Sequence, residues 1–275
     1  MSIQQMRPSR VLAKLRAGQV ANCFKHNLAD ARAMEIAAMA GFDCLWQDME
    51  HVPNDLAEIE RGIWAAKSQN VDVMVRVARG SYSDYIRPLE MDAAGIMVPH
   101  VMSLADAQAV ARMTRFHPIG RRPVDGGNAD GAYCNIDFVE YLKQANEQRF
   151  VVVQIEDPEP LAELDAIAAV PGIDMLFFGP GDFSHGIGAP GVWDHPRLLE
   201  ARRRVADAAR AHGKFAGTVA SSANLDELNA LGYRFLSMGS DVVGLSQYCK
   251  SVMAEFGKQP AVVSSGIYGG KNKTK

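Results

Sequence analysis

The chain has 275 residues, 48% of them hydrophobic and 22% charged, with a formal net charge of −3. That length suits one large domain with a substantial core, and barrels of parallel strands and helices have this size. The arginines are scattered and form no basic stripe, which argues against a nucleic-acid partner; no run has the length and purity of a membrane span.

Short β-rich runs alternate with longer helical patterns along the chain. The first strand is expected at VANCF (20–24), with a helix over 29–39 that Gly41 stops. The second, DCLWQDM (43–49), precedes a helix that starts at Pro53-Asn54-Asp55 and runs to about Ser68. The third, VDVMVRV (71–77), leads to a weaker helical pattern over 82–91. The fourth is GIMVPH (95–100), after which Ser103 is an expected N-cap. A glycine-rich stretch over 120–133 is too long for a routine connection and reads as a functional or interface loop. A helix over 137–148 leads to strand five, FVVVQIE (150–156); the segment 160–170 reads as helical, and IDMLFF (173–178) is strand six. After an insertion rich in glycine and proline come a helix over 197–211, strand seven at KFAGTV (214–219) and a helix around 224–231. Strand eight is RFLSMG (234–239), and the last helix covers 241–256. The residues to about 258 are expected to form one domain, and 259–275 a polar tail.

Strands that are almost continuously apolar are covered on both faces, which implies a parallel sheet. Eight strand–helix units in about 250 residues fit a closed (β/α)8 barrel. The competing fold is an open doubly wound sheet, but no dinucleotide fingerprint and no phosphate loop ending in Gly-Lys-Ser/Thr is present. Cys23, Cys44, Cys134 and Cys249 stand at no metal-binding or redox spacing. With an N-terminus that lacks the apolar core of a signal peptide, they read as reduced thiols of a cytoplasmic protein.

In such a barrel the C-terminal strand ends form the active face. Glu156 and Asp182 each follow an apolar run about one strand–helix unit apart, so both carboxylates emerge at that face. Two close carboxylates need a proton or a cation between them, and two protein oxygens completed by water and substrate commonly hold Mg²⁺ or a similar hard cation. Alternation puts Gln154 on the same side as Glu156. The bland alternative is a salt bridge from Glu156 to Arg76. Arg76, near the end of strand three, offers a fork of donors to a carboxylate or enolate oxygen, or simply pairs with Glu50 or Glu156. His51 follows Asp48 by three residues and is a candidate general base oriented by that carboxylate; otherwise it caps a helix. His100, His185 and His195 lie beside proline or glycine and carry less weight. Gly179 and Gly181 let the backbone approach a small anionic group. Schiff-base chemistry needs a lysine in the mouth; Lys214 begins strand seven at the wrong face, leaving only Lys25.

These strings resemble the metal-dependent class II pyruvate aldolases of the HpcH/HpaI superfamily, which cleave 4-hydroxy-2-oxoheptanedioate and 2-keto-3-deoxy sugar acids. The resemblance covers about residues 15–256 and runs through GFDCLWQDMEH, VMVRV, DAAGIMVPHV, PIGRRP, VVVQIED and GIDMLFFGPGDFS. It implies a (β/α)8 barrel, a divalent cation (Mg²⁺ or Mn²⁺, with Co²⁺ and Zn²⁺ also used), and oligomers, commonly hexamers built from dimers that exchange the last helix. The family's metal ligands fall on Glu156 and Asp182, its barrel glutamine on Gln154, and its catalytic arginine on Arg76. Its histidine and aspartate fall on His51 and Asp48, and its carboxylate-binding amides on Gly181 and Asp182. The implied reaction is reversible cleavage of a 4-hydroxy-2-oxo acid to pyruvate and an aldehyde. Decarboxylation of oxo acids, lysis of acyl-CoA esters, and oxo-acid binding without catalysis are the rival readings. The chain departs from the family pattern at Arg121-Arg122-Pro123, at Asp157 and in the 124–133 loop. These departures bear on the aldehyde partner, and Arg122 and the 124–133 loop are expected to contact that end of the substrate, either in the same subunit or from a neighbouring one.

Overall fold

All eight expected strands form, and they pair in chain order into one closed ring. The strands are β1 (Ala21–His26), β2 (Cys44–Asp48), β3 (Asp72–Arg76), β4 (Gly95–Val98), β5 (Phe150–Ile155), β6 (Met175–Phe178), β7 (Phe215–Val219) and β8 (Tyr233–Ser240). Every pairing is parallel, and β8 closes onto β1 with Ala21 opposite Phe235. The computed structural model describes residues 5–256, so the expected polar tail from 259 lies outside the described residues. No helix among the described residues is long and apolar enough to cross a membrane.

The helices are α1 (Arg10–Arg16), α2 (Ala31–Met39), α3 (Leu56–Ser68), α4 (Tyr82–Glu90), α5 (Leu104–Thr114), α6 (Phe138–Gln148), α7 (Leu164–Ala168), α8 (Pro180–Gly186), α9 (Pro196–Ala211), α10 (Leu225–Leu231) and α11 (Asp241–Glu255). The start signals work as their chemistry requires. Asp55 accepts the Glu58 N–H at 2.8 Å while Glu58 accepts the Asp55 N–H at 3.0 Å, a reciprocal cap on α3. Ser103 caps α5 through the Asp106 N–H.

Three segments differ from expectation. The stretch 160–170 splits into a 3-10 turn (Glu159–Ala162) and the short α7, because Pro160 has no N–H to give an α-helix. The insertion after β6 opens with α8, whose first residue is Pro180. At the N-terminus α1 forms where no helix was expected; it is seven residues long, and its Val11, Leu12 and Leu15 are buried.

Alternation divides the core in two. Cys23, Cys44, Trp46, Met74, Met97, Phe150, Val152 and Phe177 fill the barrel, and the apolar residues of α1 join them from below. Val73, Val75, Val151, Val153, Ile155 and Leu176 point outward against the helices. The N-terminal end of the barrel is closed by ion pairs to α1 and the residues before it. Asp72 accepts from Arg7 (2.8 Å), Ser9 Oγ (2.7 Å) and the Val11 N–H (2.9 Å). Asp43 is held by Arg10 and Lys14, each at 2.8 Å.

At the other end of the chain α11 buries none of its residues and exposes Val242, Leu245, Tyr248 and Met253. Its first residue, Asp241, ties it to the barrel by accepting the N–H groups of Asn27 and Leu28, with His26 Nδ1 2.9 Å away.

Replacing Asp72 with alanine strands Arg7 and Ser9 and removes one of the two carboxylate tethers of α1. The expected loss, by analogy with breaking buried ion pairs, is about 3–5 kcal/mol, read as a lower urea midpoint; an unchanged midpoint would show that α1 contributes little to the fold.

Candidate active site

Register places the charged residues of the mouth. Asp48 and Arg76 are Cα partners across β2 and β3, and both side chains point inward above Trp46 and Met74. Arg76 Nε donates to Asp48 Oδ1 at 3.0 Å and Nη2 donates to Oδ2, a two-pronged pair. Lys25 Nζ lies 3.0 Å from Asp48 Oδ2. Both cations sit 4.9 Å from the centre of the Trp46 ring. Burial disfavours the Asp48 charge, but Arg76 and then Lys25 outweigh it and hold the carboxyl below the usual carboxylate range. Burial likewise opposes the Arg76 charge and is outweighed by Asp48, Glu50 and Glu156. Arg76 Nη1 reaches Glu50 Oε2 at 3.0 Å, in an arrangement that makes an ion pair without a hydrogen bond.

Glu156 follows β5 and is 1% exposed. Its Oε1 accepts the His100 backbone N–H at 2.9 Å and its Oε2 takes the Gln154 amide. It is not locked onto Arg76, which acts on it only at a distance. Burial therefore dominates and pushes the Glu156 carboxyl up to about 7, with the nearby Asp182 charge adding to the shift. Asp182 lies exposed in the first turn of α8, and its carboxylate accepts no hydrogen bond among the described residues. The side-chain oxygen of Gln154, Oε1, is buried without a hydrogen-bond partner among the described residues. An under-compensated carboxylate with a second carboxylate beside it is an all-oxygen donor pair that fits a hard divalent cation. Among the described residues no group of three or more His, Cys, Asp or Glu side chains is arranged as a metal cage, so water and substrate would complete such a shell.

Gly179 is the hinge between β6 and α8. A Cβ there would lie 2.7 Å from both Cβ and Oε2 of Glu156 and 3.0 Å from the Gln154 amide nitrogen. The backbone of the α8 turn thus closes directly on the carboxylate. Gly181 and Asp182 follow in the first turn of α8, where N–H groups lack helical acceptors.

The expected contact between the His51 ring and the Asp48 carboxylate is not formed. Asp48 Oδ1 accepts the backbone N–H of His51 (3.4 Å) and of Glu50 (3.0 Å). The His51 ring is 58% exposed, and its Nε2 lies 3.5 Å from Glu50 instead. The reason is geometric: Asp48 ends the strand pointing into the barrel, and the chain has turned before His51. Lys25 does reach the mouth, where its ammonium pairs with the Asp48 carboxylate at 3.0 Å. Arg122 is not in the mouth of its own barrel. It is buried within its loop, donating to Asp130 at 2.8 Å and stacking on Phe116 at 4.7 Å.

His100, given little weight for its neighbouring proline, and Asp157, a departure from the family pattern, meet each other at the mouth. The His100 ring meets Asp157 through Nδ1 at 2.8 Å, beside Glu156 and Glu50. Burial opposes protonation of this imidazole but is outweighed by Asp157 and the glutamates, so its pKa is raised. Its place at the end of the fourth apolar run was the available signal.

A family model described as HpcH/HpaI aldolase/citrate lyase matches residues 23–247. A hydroxypyruvate/pyruvate aldolase of Pseudomonas aeruginosa is 35% identical over 95% of this chain and 98% of its own length. A 4-hydroxy-2-oxo-heptane-1,7-dioate aldolase of Shigella boydii is 30% identical over 93% and 98%. Among solved structures, an HpcH/HpaI aldolase of Desulfitobacterium hafniense superposes with a TM-score of 0.85 at 28% identity, covering 92% of this chain and 98% of that one.

Gly179→Ala should force the Glu156 side chain aside at a cost of about 1–3 kcal/mol, visible as a lower urea midpoint. A midpoint equal to that of the native protein would mean that the turn is not packed on the carboxylate.

Proposed function

This chain belongs to the HpcH/HpaI aldolase/citrate lyase family, and we propose that it is a divalent-metal-dependent class II aldolase that reversibly cleaves a 4-hydroxy-2-oxo acid to pyruvate and an aldehyde. Carbon–carbon lyase chemistry is the family's business; the substrate is our reading. The observation that carries it is the contrast between two buried carboxylates: Asp48 is saturated by cations, while Glu156 is short of positive charge beside Asp182.

In this reading Glu156 and Asp182 hold Mg²⁺ or Mn²⁺, with Co²⁺ or Zn²⁺ as substitutes. When bound, the cation supplies Lewis-acid polarisation of the keto group and a template for the 2-oxo acid. Backbone N–H groups of Gly181 and Asp182 receive the pyruvate carboxylate, and Gln154 offers its amide oxygen to a substrate hydroxyl or a water. Arg76, held rigid by Asp48, donates to the oxygen that becomes negative as the enolate forms. His51 takes the proton from the C4 hydroxyl as the C3–C4 bond breaks, and a solvent proton at C3 turns the enolate into pyruvate; in synthesis C3 gives up that proton to solvent and His51 returns one to the alkoxide. Asp48 acts at one remove, fixing Arg76 and the backbone N–H groups that lead to His51.

The substrates are small molecules, a 2-oxo acid and an aldehyde. Self-association fits the exposed apolar residues of α11, and we read it as the surface through which copies of this chain form a dimer-based homo-oligomer, a hexamer in the arrangement implied by the resemblance.

Glu156→Ala and Asp182→Ala should each lower pyruvate release from 4-hydroxy-2-oxo acids by more than about a hundredfold, the upper end seen for losing a mere outer-shell partner. EDTA should silence the native enzyme and Mn²⁺ restore it; near-native turnover by either variant with Mn²⁺ would overturn the reading. Including oxaloacetate in the panel separates an aldolase from a decarboxylase. In light scattering the native protein should have a mass several times the 29.9 kDa of one chain. Leu245→Glu with Tyr248→Glu should lower it, and an unchanged mass would remove α11 from the interface.

A further inference from the structure

Two carboxylates stand close to His51 in the chain, Asp48 and Glu50, and the structure gives them different work. Asp48 is fully engaged, by both prongs of Arg76, by Lys25 and by the backbone N–H groups of Glu50 and His51. The His51 ring pairs instead with Glu50, whose Oε2 lies 3.5 Å from His51 Nε2 and 3.0 Å from Arg76 Nη1. That oxygen is buried and makes no hydrogen bond among the described residues. A buried acceptor without a donor is costly, and a protonated imidazole beside it would relieve the cost.

We propose that Glu50, not Asp48, is the carboxylate through which His51 works as the base. An imidazole that takes a proton from the C4 hydroxyl becomes a cation, and an adjacent carboxylate stabilises the cation more than the neutral ring. With the Nε2–H directed at Glu50, Nδ1 is left as the accepting nitrogen; it makes no hydrogen bond among the described residues. The proton passes from the hydroxyl oxygen to Nδ1 while the electrons of the C3–C4 bond go to the enolate. Glu50 neither gains nor loses a proton and touches no reacting atom, so it is a positioning residue. This rests on the aldolase reading and names the group that orients its base.

The other charged groups around Glu50 have partners of their own. Arg76 keeps its two-pronged pair with Asp48. His100 leans on the second Glu50 oxygen, Oε1, at 3.6 Å, but is fixed from elsewhere. Its backbone is in the left-handed region, with a φ of 47°, a conformation that persists outside glycine only where the surroundings over-determine it. Its N–H donates to Glu156 Oε1 at 2.9 Å and its ring Nδ1 meets Asp157 Oδ2 at 2.8 Å. Glu156, where the cation is placed, is touched by His100 and makes no hydrogen bond or ion pair with Glu50 or His51.

Two reactions divide the site. Cleavage of a 4-hydroxy-2-oxo acid needs the base, whereas exchange of the pyruvate C3 protons with D₂O needs only the enolate, with solvent as proton acceptor. Both are followed with saturating Mg²⁺ in the native protein, Glu50→Gln, His51→Gln and the double variant. His51→Gln should lower cleavage relative to exchange by about a hundredfold or more, and Glu50→Gln by about tenfold or more. The double variant should lie within about twofold of His51→Gln alone, because Glu50 acts through the ring. Glu50→Asp, which keeps the charge, should retain more of the native cleavage-to-exchange ratio than Glu50→Gln. Equal losses of cleavage and exchange in Glu50→Gln would assign Glu50 to Arg76 or to the cation, and losses that multiply in the double variant would separate it from His51. Either result overturns the proposal, as does a Glu50→Asp ratio no better than that of Glu50→Gln. A native protein that exchanges pyruvate protons but cleaves no hydroxy-oxo acid would instead remove the aldolase reading itself.

Discussion

A closed ring of parallel strands admits only every second side chain to its interior, and in this chain the last inward position of several strands is charged or polar. Cys44 and Trp46 enter before Asp48, Met74 before Arg76, and Phe150 and Val152 before Gln154. The lower layers are apolar, so the charges gather in one small volume at the C-terminal mouth. Asp48 and Arg76 do not find each other by folding of loops; they are register partners on adjacent strands. Lys25 stands in the same relation to Trp46, whose ring lies beneath both cations.

Within that volume the two buried carboxylates have opposite fates. Asp48 receives two prongs from Arg76, an ammonium from Lys25 and two backbone N–H groups. Its desolvation is compensated, and it works as a framework for the guanidinium. Glu156 receives one backbone N–H and one amide, both neutral donors. Neutral donors do not offset a buried charge as cations do, so burial dominates and the acid is pushed up to about 7. The same residue class, a few strands apart, is thus balanced in one case and left receptive in the other.

The strands were legible because burial on both faces leaves almost uninterrupted apolar runs, and β5 and β6 fall where VVVQI and MLFF stand. Gln154 and Glu156 were legible for the same reason, being the polar exceptions in an inward-facing series. α1 was not legible: seven residues with arginines at both ends become a helix only because the barrel floor buries Val11, Leu12 and Leu15. α8 was hidden by its glycines, although Pro180 at its start and Asp182 in its first turn are ordinary helix-opening residues. Spacing of three linked His51 to Asp48, but spacing cannot say that one side chain enters the barrel while the other leaves over the rim. His100 was discounted for its neighbouring proline. Its partner, Asp157, belongs to another strand end and could be matched to it only in three dimensions.

The two ends of the barrel use the same residue types to different effect. At the N-terminal end Asp43, Asp72, Asp92 and Asp174 stand before or at the start of strands, and each is met by arginine or lysine from elsewhere in the chain. Pairing there brings distant segments together and leaves no room for a ligand, since α1 fills the opening. At the C-terminal end one cluster is paired in the same way, around Asp48, while Glu156 and Asp182 are not. A left-handed histidine and an under-compensated acid both cost free energy. They are tolerable at the mouth because the floor and the apolar layers fix the strands that carry them, so the strain stays local and cannot relax by shifting register.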